Sequence, residues 1–258
     1  MEHSFFIPCG SRNIPCILSA PAAGTPQRVV LSVHGLGGSK NDAIQSALAE
    51  ELPLFSCAVM RFDLPAHGDS PEDDTTLCLE SCRQALLAVA GWLRQEYPDA
   101  RELCIFATGF GAYVTLTCLE ELIDLAGQVK LVVQTPSVMM HATILSMLRM
   151  TRETLWAMDR VSLPAPRPID ITYSFFEELR SHIVLNAQPI PMLILHGESD
   201  AYIHQEDIQS FRRINEGSRL VYIPGASHRF VEEGAWDMVL DLTRDWFSFE
   251  QVLLCDWE

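Results

Sequence analysis

Short apolar runs alternate along the chain with longer segments in which apolar residues recur at helical spacing. This alternation is typical of a mostly parallel sheet with helices on both faces, because strands buried on both sides are apolar throughout. Two strand-like pieces at the start, joined by a Gly-Ser-Arg-Asn turn, predict an antiparallel hairpin at one edge of that sheet. Six later runs predict strands at 28–33, 57–62, 103–107, 130–133, 192–195 and 219–223.

Helical segments lie between these strands. Apolar residues at steps of three and four from Cys82 to Tyr97 predict an amphipathic helix that ends before Pro98. Helices are also predicted at 110–125, 205–215 and 233–254. The fold class is therefore α/β, and because no repeat or low-complexity linker interrupts the series, we expect one domain over residues 1–258.

Residues 139–190 form a segment that is too long for the single crossover helix between two neighbouring parallel strands. Its two ends have a helical pattern, and its middle has strand-like pieces around a Pro-Ala-Pro-Arg-Pro turn. We interpret this segment as an insertion within the domain.

The composition limits the partners of such a domain. With 258 residues, 48% of them hydrophobic, the chain is long enough to bury a large core. A formal net charge of −16 repels phosphate backbones and anionic lipid surfaces, so we expect a small-molecule partner, with no nucleic acid and no membrane. No run reaches the roughly 20 apolar residues of a membrane span, and the first residues lack a signal-peptide pattern. We therefore expect a cytoplasmic protein, and the sequence leaves a homodimer open.

The eight cysteines are scattered, several of them within apolar runs, and they form no Cys-x-x-Cys pair. Reduced thiols in the core are the plain interpretation. Cys78 and Cys82 lie four residues apart, but no second pair with zinc spacing accompanies them. We expect no metal and no cofactor.

Two loops after neighbouring predicted strands carry an unusual choice of residues. His34 to Lys40 reads HGLGGSK, and residues 61–70 read RFDLPAHGDS. The glycines allow a sharp turn that presents backbone N–H groups, but their spacing fits neither nucleotide-binding fingerprint. Together the two loops resemble the HG-x-G-G and D-x-P-x-HG-x-S signatures of the α/β-hydrolase family. That resemblance implies a mostly parallel eight-stranded sheet with helices on both faces and a cap formed by the insertion.

The α/β-hydrolase family carries its nucleophile on a sharp strand-turn-helix elbow, G-x-S-x-G. Here the strand LCIFA is followed by Thr108-Gly109-Phe110-Gly111 and then by a helical segment. The register implies that Gly109 stands where the family has its nucleophilic serine. The resemblance also implies that the backbone N–H groups of Leu36 and Phe110 form the oxyanion hole. Thr108 is not assigned as a substitute nucleophile, because the neighbouring position of an elbow points elsewhere.

A further pair of loops carries a candidate acid and base. HGESDAYIH follows the strand at 192–195, and PGASHRF follows the strand at 219–223. Alone, an aspartate in a turn or a histidine after a strand is ordinary turn or packing chemistry. Their order and places match the family, so the resemblance implies that Asp200 orients His228 and that His228 acts as the general base.

Other polar residues of these loops have structural interpretations. We expect Asp63 to tie down its own loop. His196, Asp200 and His204 are spaced four apart, but a strand end and a loop do not bring such residues onto one face as metal ligands. Structural or pocket-lining roles are expected for His34, His67 and His196.

The resemblance therefore implies a serine-type carboxylic ester hydrolase that lacks its nucleophile, and we expect almost no activity by the covalent route. The implied cap resembles those of cinnamoyl or feruloyl esterases and related carboxylesterases, which favours a medium-sized, partly apolar ester as substrate. Apolar residues of the insertion fit a small core of the cap equally well. Candidate substrate-binding residues are Gly35, Met139, Trp156 and Tyr173.

Several alternatives stay open. The chain also fits a natural pseudohydrolase that binds ligands without turnover, or a peptidase or amidase of the same family. Gly109 is also consistent with an active serine hydrolase whose serine was replaced to trap a bound substrate. The intact Asp200 and His228 favour this origin. A water activated directly by His228 is the remaining hypothesis for turnover.

Overall fold

A computed structural model describes residues 2–165 and 167–248 of the chain. The strands of this part are β1 (Glu2–Cys9), β2 (Arg12–Ser19), β3 (Arg28–Val33), β4 (Cys57–Phe62), β5 (Glu102–Thr108), β6 (Val129–Gln134), β7 (Arg160–Leu163), β8 (Ile169–Thr172), β9 (Met192–Gly197) and β10 (Arg219–Ile223). Within the described residues, eight of them form one sheet in the order β1-β2-β4-β3-β5-β6-β9-β10. The two remaining strands, β7 and β8, pair with each other in antiparallel orientation.

The sheet is mostly parallel, as the apolar runs predict. β1 and β2 form the antiparallel hairpin at one edge, and β2 is antiparallel to β4, whereas all pairs from β4 to β10 are parallel. The predicted bounds of β3, β4 and β10 agree with the structure, and β5, β6 and β9 are each two residues longer than predicted. The fold class expected from the sequence is confirmed.

Helices lie between the strands of the described chain. They are α1 (Ala43–Glu51), α2 (Leu79–Glu96), α3 (Gly109–Thr117), α4 (Leu119–Ala126), α5 (Met140–Leu148), α6 (Arg152–Met158), α7 (Tyr173–Ser181), α8 (Gln205–Ile214) and α9 (Ala235–Ser248). α2 ends before Pro98 as predicted, while α1 was not expected from the pattern. The predicted helix at 233–254 is observed as α9 up to residue 248, and its remaining residues, like Cys255, lie outside the described residues.

The single helix predicted at 110–125 is wrong, because the structure breaks it into α3 and α4 at Cys118. Cys118 has φ −131° and ψ 26°, outside the helical region. In the preceding turns the hydroxyl of Thr115 donates to the Gly111 carbonyl and the hydroxyl of Thr117 donates to the Val114 carbonyl. Such hydrogen bonds back to the helix's own carbonyls bend helices, and the periodicity of apolar residues does not register them.

Two buried layers hold the sheet between helices. Along β3, Val29 and Leu31 pack with the layer that contains α2 and α3, whereas Val30 packs with the layer that contains α1 and α9. Both layers consist of fully buried aliphatic and aromatic side chains, which explains why the central strands are apolar at successive positions. The loops that follow the parallel strands therefore meet at one edge of a rigid sheet.

Residues 139–190 contain the elements that the sequence predicts for them. β6 and β9 are parallel neighbours in the sheet, and the chain between them contains α5, α6, the β7–β8 pair and α7. Buried side chains of this segment, such as Leu155, Ile171 and Phe175, pack in the same layer as α2 and α3. Its apolar residues thus extend the core of the sheet. Across the described chain, no helix has the length and apolar character needed to cross a membrane.

Candidate active site

The candidate residues gather where β3, β5, β9 and β10 end. β5 ends at Thr108, and Gly109 begins α3 without an intervening loop. Gly109 has φ +48°, in the left-handed region that glycine adopts without strain. A Cβ atom on Gly111 would lie 2.3 Å from the carbonyl oxygen of His34, so only glycine allows α3 to approach the end of β3 this closely. The strand-turn-helix geometry of a nucleophile elbow is present, with glycine at its tip.

Gly109 faces the candidate base directly. A Cβ atom at position 109 would lie 4.0 Å from Nε2 of His228. The hydroxymethyl group of serine is one atom longer, so in a rotamer directed at His228 its oxygen would come within hydrogen-bonding reach of that nitrogen. The structure brings the sequence-predicted positions 109 and 228 together, as the chain order nucleophile, acid, base requires.

His228 is paired with Asp200. The Nδ1 atom of His228 lies 2.8 Å from Oδ2 of Asp200, whose side chain has no solvent exposure. The other oxygen, Oδ1, accepts hydrogen bonds from the backbone N–H groups of Tyr202 at 2.8 Å and Ile203 at 3.1 Å. Burial raises the pKa of Asp200, but the hydrogen bond and charge of His228 and these two N–H groups outweigh it, so the pKa lies below its ordinary value. A buried carboxylate thus orients the imidazole.

The loops that carry Asp200 and His228 are packed against each other. The backbone N–H of Ser199 donates to the carbonyl of Ala226 at 2.9 Å, and that of Glu198 donates to the carbonyl of Ile223 at 3.2 Å. A Cβ atom on Gly197 would lie 2.3 Å from the Ala226 oxygen, so this close approach requires glycine. The geometry of the Asp200–His228 pair is therefore fixed by backbone contacts at the ends of β9 and β10.

The glycine-rich loop after β3 packs beside the elbow. Gly35 and Gly38 close a turn with a 3.0 Å hydrogen bond, and Leu36 lies half-buried within it. A Cβ atom on Gly35 would lie 3.5 Å from both oxygens of Thr108, the residue before the elbow tip. Phe110 lies in the first turn of α3, where backbone N–H groups have no partner within the helix. The predicted oxyanion donors, Leu36 and Phe110, thus belong to adjacent segments.

A buried ion pair joins the two motif loops. Nζ of Lys40 lies 2.5 Å from Oδ2 of Asp63 and 2.5 Å from an oxygen of Asp69. The backbone N–H of Lys40 donates to Oδ1 of Asp63 at 2.8 Å, and that of Asp69 donates to Oδ2 at 2.8 Å. Asp63 ties down its own loop as expected, and in addition it holds the glycine-rich loop.

A column of rings lies beneath the elbow. The ring centroid of His67 lies 5.1 Å from that of His34 and 6.2 Å from that of Phe110, and Phe110 meets Phe175 edge-on at 5.9 Å. His67 is fully buried, and burial lowers its pKa to about 3. This histidine is neutral and packs as an aromatic ring, in keeping with its predicted structural role.

His196 and His204 do not join Asp200 in a metal site. His196 is fully buried and its Nδ1 lies 4.0 Å from Oδ2 of Asp200, whereas His204 is exposed. Burial lowers the pKa of His196, which favours a neutral ring. Over residues 2–165 and 167–248, no group of three or more potential ligand side chains is arranged to hold a metal ion.

The insertion contacts the glycine-rich loop through its β7–β8 hairpin. The backbone N–H of Arg167 donates to the carbonyl of Gly37 at 3.1 Å, and a Cβ atom on Gly37 would lie 2.2 Å from the Cβ of Ala165. Asp74 accepts from the Arg167 guanidinium and from the backbone N–H of Asp170, each at 3.3 Å. Sequence reasoning did not find this contact, because it depends on how two distant loops pack.

The predicted substrate-binding residues of the insertion lie in two places. Met139 is half-buried at the start of α5 and packs on the core. Trp156, which is 66% exposed, and Tyr173 line a cleft of about 290 Å³ together with Arg152 and Glu153. That lining does not include the elbow, Asp200 or His228. Gly35, the fourth predicted residue, packs against Thr108 at the start of the elbow.

Tyr202 is a neighbour of the candidate base that the sequence analysis missed. Its ring meets the imidazole of His228 edge-on, with centroids 5.4 Å apart and planes at 87°. The signal in the sequence was the turn itself, since an aspartate commonly accepts hydrogen bonds from backbone N–H groups two and three residues later. Asp200 does so, which brings Tyr202 alongside His228.

Comparisons with known proteins agree with this architecture. A putative hydrolase from Agrobacterium vitis S4 superimposes with a TM-score of 0.78 at 17% identity, covering 95% of this chain and 98% of that one. Est1E from Butyrivibrio proteoclasticus with bound ferulic acid gives 0.79 at 17% identity, with 94% and 97% covered. Alpha/beta hydrolase domain-containing protein 10 from mouse gives 0.75 at 16% identity, with 95% and 98% covered. At these identities the likeness concerns the fold.

Sequence comparison gives the family. No curated protein matches the chain. The model of the alpha/beta hydrolase family matches residues 30–242, a stretch that runs from β3 into α9 and includes Gly109, Asp200 and His228. The chain therefore belongs to the alpha/beta hydrolase family.

Proposed function

We propose that this protein has the site of a serine-type carboxylic ester hydrolase in which Gly109 occupies the nucleophile position. The observation that carries the proposal is the 4.0 Å distance between the Cβ position of residue 109 and Nε2 of His228. Removal of the nucleophile from such a site lowers kcat about 10⁶-fold. Because position 109 has no hydroxyl, the chain has almost no activity by the covalent route.

The geometry supports acyl transfer once a hydroxyl is supplied. Because Asp200 accepts the Nδ1 hydrogen, the neutral imidazole of His228 presents an unprotonated Nε2 toward position 109. A serine oxygen there would lose its proton to Nε2 as it attacks the ester carbonyl. The N–H groups of Leu36 and Phe110 are the proposed donors to the oxyanion, and the imidazolium returns the proton to the leaving alcohol.

For the substrate we propose a medium-sized, partly apolar ester. The insertion supports this as a cap, because its hairpin contacts the glycine-rich loop at Gly37. Met139, Trp156 and Tyr173 remain the proposed substrate-binding residues of that cap. The net charge of −16 favours a small uncharged or cationic substrate over an anionic polymer. The proposed location is cytoplasmic, and a homodimer stays a prediction that sedimentation can test.

Restoring the hydroxyl tests the proposal. In the Gly109→Ser variant we expect hydrolysis of short p-nitrophenyl esters to rise by at least about 10³-fold over the unchanged chain. The matched control is the Gly109→Ser variant with His228→Ala added, which should lose that gain because the serine has no base. If Gly109→Ser folds normally and gains nothing toward aryl, cinnamoyl or acyl esters, or toward aminoacyl amides, the hydrolase proposal fails. A gain toward the amides alone would identify a peptidase or amidase.

A second candidate function rests on Gly109 itself. A non-catalytic pseudohydrolase needs no nucleophile, and it would bind an ester or its products without turnover. Isothermal titration of the unchanged chain with a cinnamate-type acid, set beside the activity of Gly109→Ser, separates the two. Tight binding with no turnover after the serine is restored would favour the pseudohydrolase.

A further inference from the structure

One nitrogen of His228 is free to act as a base in the chain as it stands. Nδ1 is held at 2.8 Å from the buried carboxylate of Asp200, which accepts its hydrogen. Because a neutral imidazole carries one hydrogen, Nε2 then has a lone pair and no hydrogen. The side chain of His228 is 17% exposed, so small molecules from solvent can reach it.

That nitrogen faces Gly109, the tip of the elbow, which has no side chain. A Cβ atom on Gly109 would lie 4.0 Å from Nε2. Apart from the adjoining residues and the helix backbone, no other atom of the described chain lies within 4 Å of that Cβ position. A hydroxymethyl group on residue 109 would extend from this Cβ position, and it is there that we place a water molecule, whose share of liquid volume is about 30 Å³.

We propose that this protein hydrolyses activated esters by direct attack of a water held between Gly109 and His228, without an acyl-enzyme. The proposal rests on the proposed function, because it uses the same ester site. Nε2 takes a proton from the water as its oxygen bonds to the carbonyl carbon. The oxyanion that forms lies toward the N–H groups of Leu36 and Phe110. The bond to the leaving oxygen then breaks, and the imidazolium gives its proton to the departing alkoxide.

The balance of this step is one water and one ester consumed, and one acid and one alcohol formed. A positioned general base contributes about 10²–10⁴-fold, and a site without its nucleophile retains roughly 10³-fold catalysis over water from binding and oxyanion stabilisation. Turnover is therefore slow and restricted to esters with good leaving groups. No covalent intermediate accumulates, so no burst of the first product precedes the steady state.

Four forms of the full chain test the proposal with p-nitrophenyl acetate: the unchanged protein, His228→Ala, Gly109→Ala and Gly109→Ser. The unchanged protein should turn over linearly from the first seconds, and His228→Ala should be about 10²-fold slower. Gly109→Ala places a methyl group where the water binds, so it should lose at least about tenfold even though its base is intact. Gly109→Ser should gain activity and release one burst equivalent of nitrophenolate per site.

Each alanine variant is accompanied by a check of its own. Alanine is strained at φ +48°, so the Tm of Gly109→Ala is measured beside its activity. His228→Asn also removes the base, at an unstrained position, and its rate of ester hydrolysis should equal that of His228→Ala. Equal rates for the unchanged chain, His228→Ala and His228→Asn would overturn the water mechanism. If Gly109→Ser still gains activity in that case, the proposed ester hydrolase stands; if it gains none, both proposals fail.

Discussion

The imidazole of His34 joins two loops of the site by accepting a hydrogen bond from the backbone N–H of Leu64 at 3.0 Å. Its other nitrogen, Nδ1, lies 2.8 Å from the carbonyl oxygen of Gly35 and donates to it. One nitrogen donates and the other accepts, so only the neutral ring satisfies both bonds. Burial lowers the pKa of His34, in agreement with that neutral state. The ring thus holds the glycine-rich loop against the loop that follows β4.

Replacing His34 should therefore destabilise the protein. In His34→Leu the N–H of Leu64 is buried without an acceptor, so we expect the free energy of unfolding to fall by about 1–3 kcal/mol in urea denaturation. The control is His3→Leu, because His3 lies exposed on the edge strand β1. Equal stability of the two variants would contradict a joining role for His34.

Acid should destabilise the protein through His67. Its folded pKa of about 3 lies below the unfolded value of about 6.5, so the unfolded chain binds the proton first as the pH falls. Stability that is complete above pH 6.5 is therefore lost progressively between pH 6.5 and 3. His67→Phe keeps the stacked ring but cannot be protonated. Between pH 7 and 4 its unfolding free energy should therefore fall by roughly 3 kcal/mol less than that of the unchanged chain.

Urea denaturation at several pH values measures this difference. The matched control is His204→Phe, because His204 is exposed and its substitution should leave the pH dependence unchanged. A slope for His67→Phe that equals the slope of the unchanged chain would mean that another group carries the acid sensitivity. Asp200 contributes with the same sign, since its folded pKa is lowered and its stabilisation also disappears as the pH falls.

The placement of Gly109, Asp200 and His228 at one edge was predictable from the sequence. Apolar runs defined the strands, and in a parallel sheet the loops that follow such strands meet at their carboxyl ends. The spacing of Gly109 and Gly111 after β5 indicated the elbow. Gly109 is needed for its positive φ, and Gly111 is needed because the backbone of another segment approaches it closely. Each requirement leaves a glycine at a fixed place in the motif, so both are visible in a single sequence.

Features that leave no mark in apolar spacing or in the motif residues were not predictable. The break at Cys118 depends on hydroxyl groups that bond back to the helix, and apolar spacing does not register them. The positions of Trp156 and Tyr173 depend on how α6 and α7 dock, and that is set by tertiary contacts of the insertion. The edge-on contact of Tyr202 with His228 likewise follows from the fold of a loop.

The contact between Gly37 and the hairpin of the insertion can be measured by a matched pair of glycine substitutions. Gly37 and Gly225 both have φ +67°, so alanine is equally strained at the two positions. At Gly225 a Cβ meets nothing within 4 Å, whereas at Gly37 it would lie 2.2 Å from Cβ of Ala165 and 2.7 Å from the oxygen of Arg167. Gly225→Ala should cost about 1–2 kcal/mol from strain alone.

Gly37→Ala should cost about 1–3 kcal/mol more than Gly225→Ala, because the hairpin must move to accept the methyl group. Urea denaturation of both variants gives the difference directly. The contact also displaces the glycine-rich loop, which carries Leu36, a proposed donor to the oxyanion. Adding Gly37→Ala to Gly109→Ser should therefore lower kcat for ester hydrolysis. Equal unfolding free energies for the two alanine variants would mean that the hairpin does not press on Gly37 in solution.

Asp200 should matter for catalysis through the tautomer of His228. In Asp200→Asn an amide replaces the carboxylate beside Nδ1, and its NH₂ group favours the ring form that carries its hydrogen on Nε2. That form cannot take a proton from a serine or a water at position 109. Added to Gly109→Ser, the substitution should lower kcat about 10⁴-fold with little change in KM, as loss of the acid does in serine proteases. The control is Glu206→Gln on the exposed first turn of α8, which should leave kcat unchanged.

The stability of Asp200→Asn separates this role from a purely structural one. The amide oxygen still accepts the backbone N–H groups of Tyr202 and Ile203, so the loop keeps both hydrogen bonds. A large loss of kcat with a nearly unchanged free energy of unfolding therefore assigns the effect to the orientation of His228. If kcat and the free energy of unfolding fell in parallel, Asp200 would serve mainly to fold its loop. The distance between Nε2 and position 109 would then no longer explain activity.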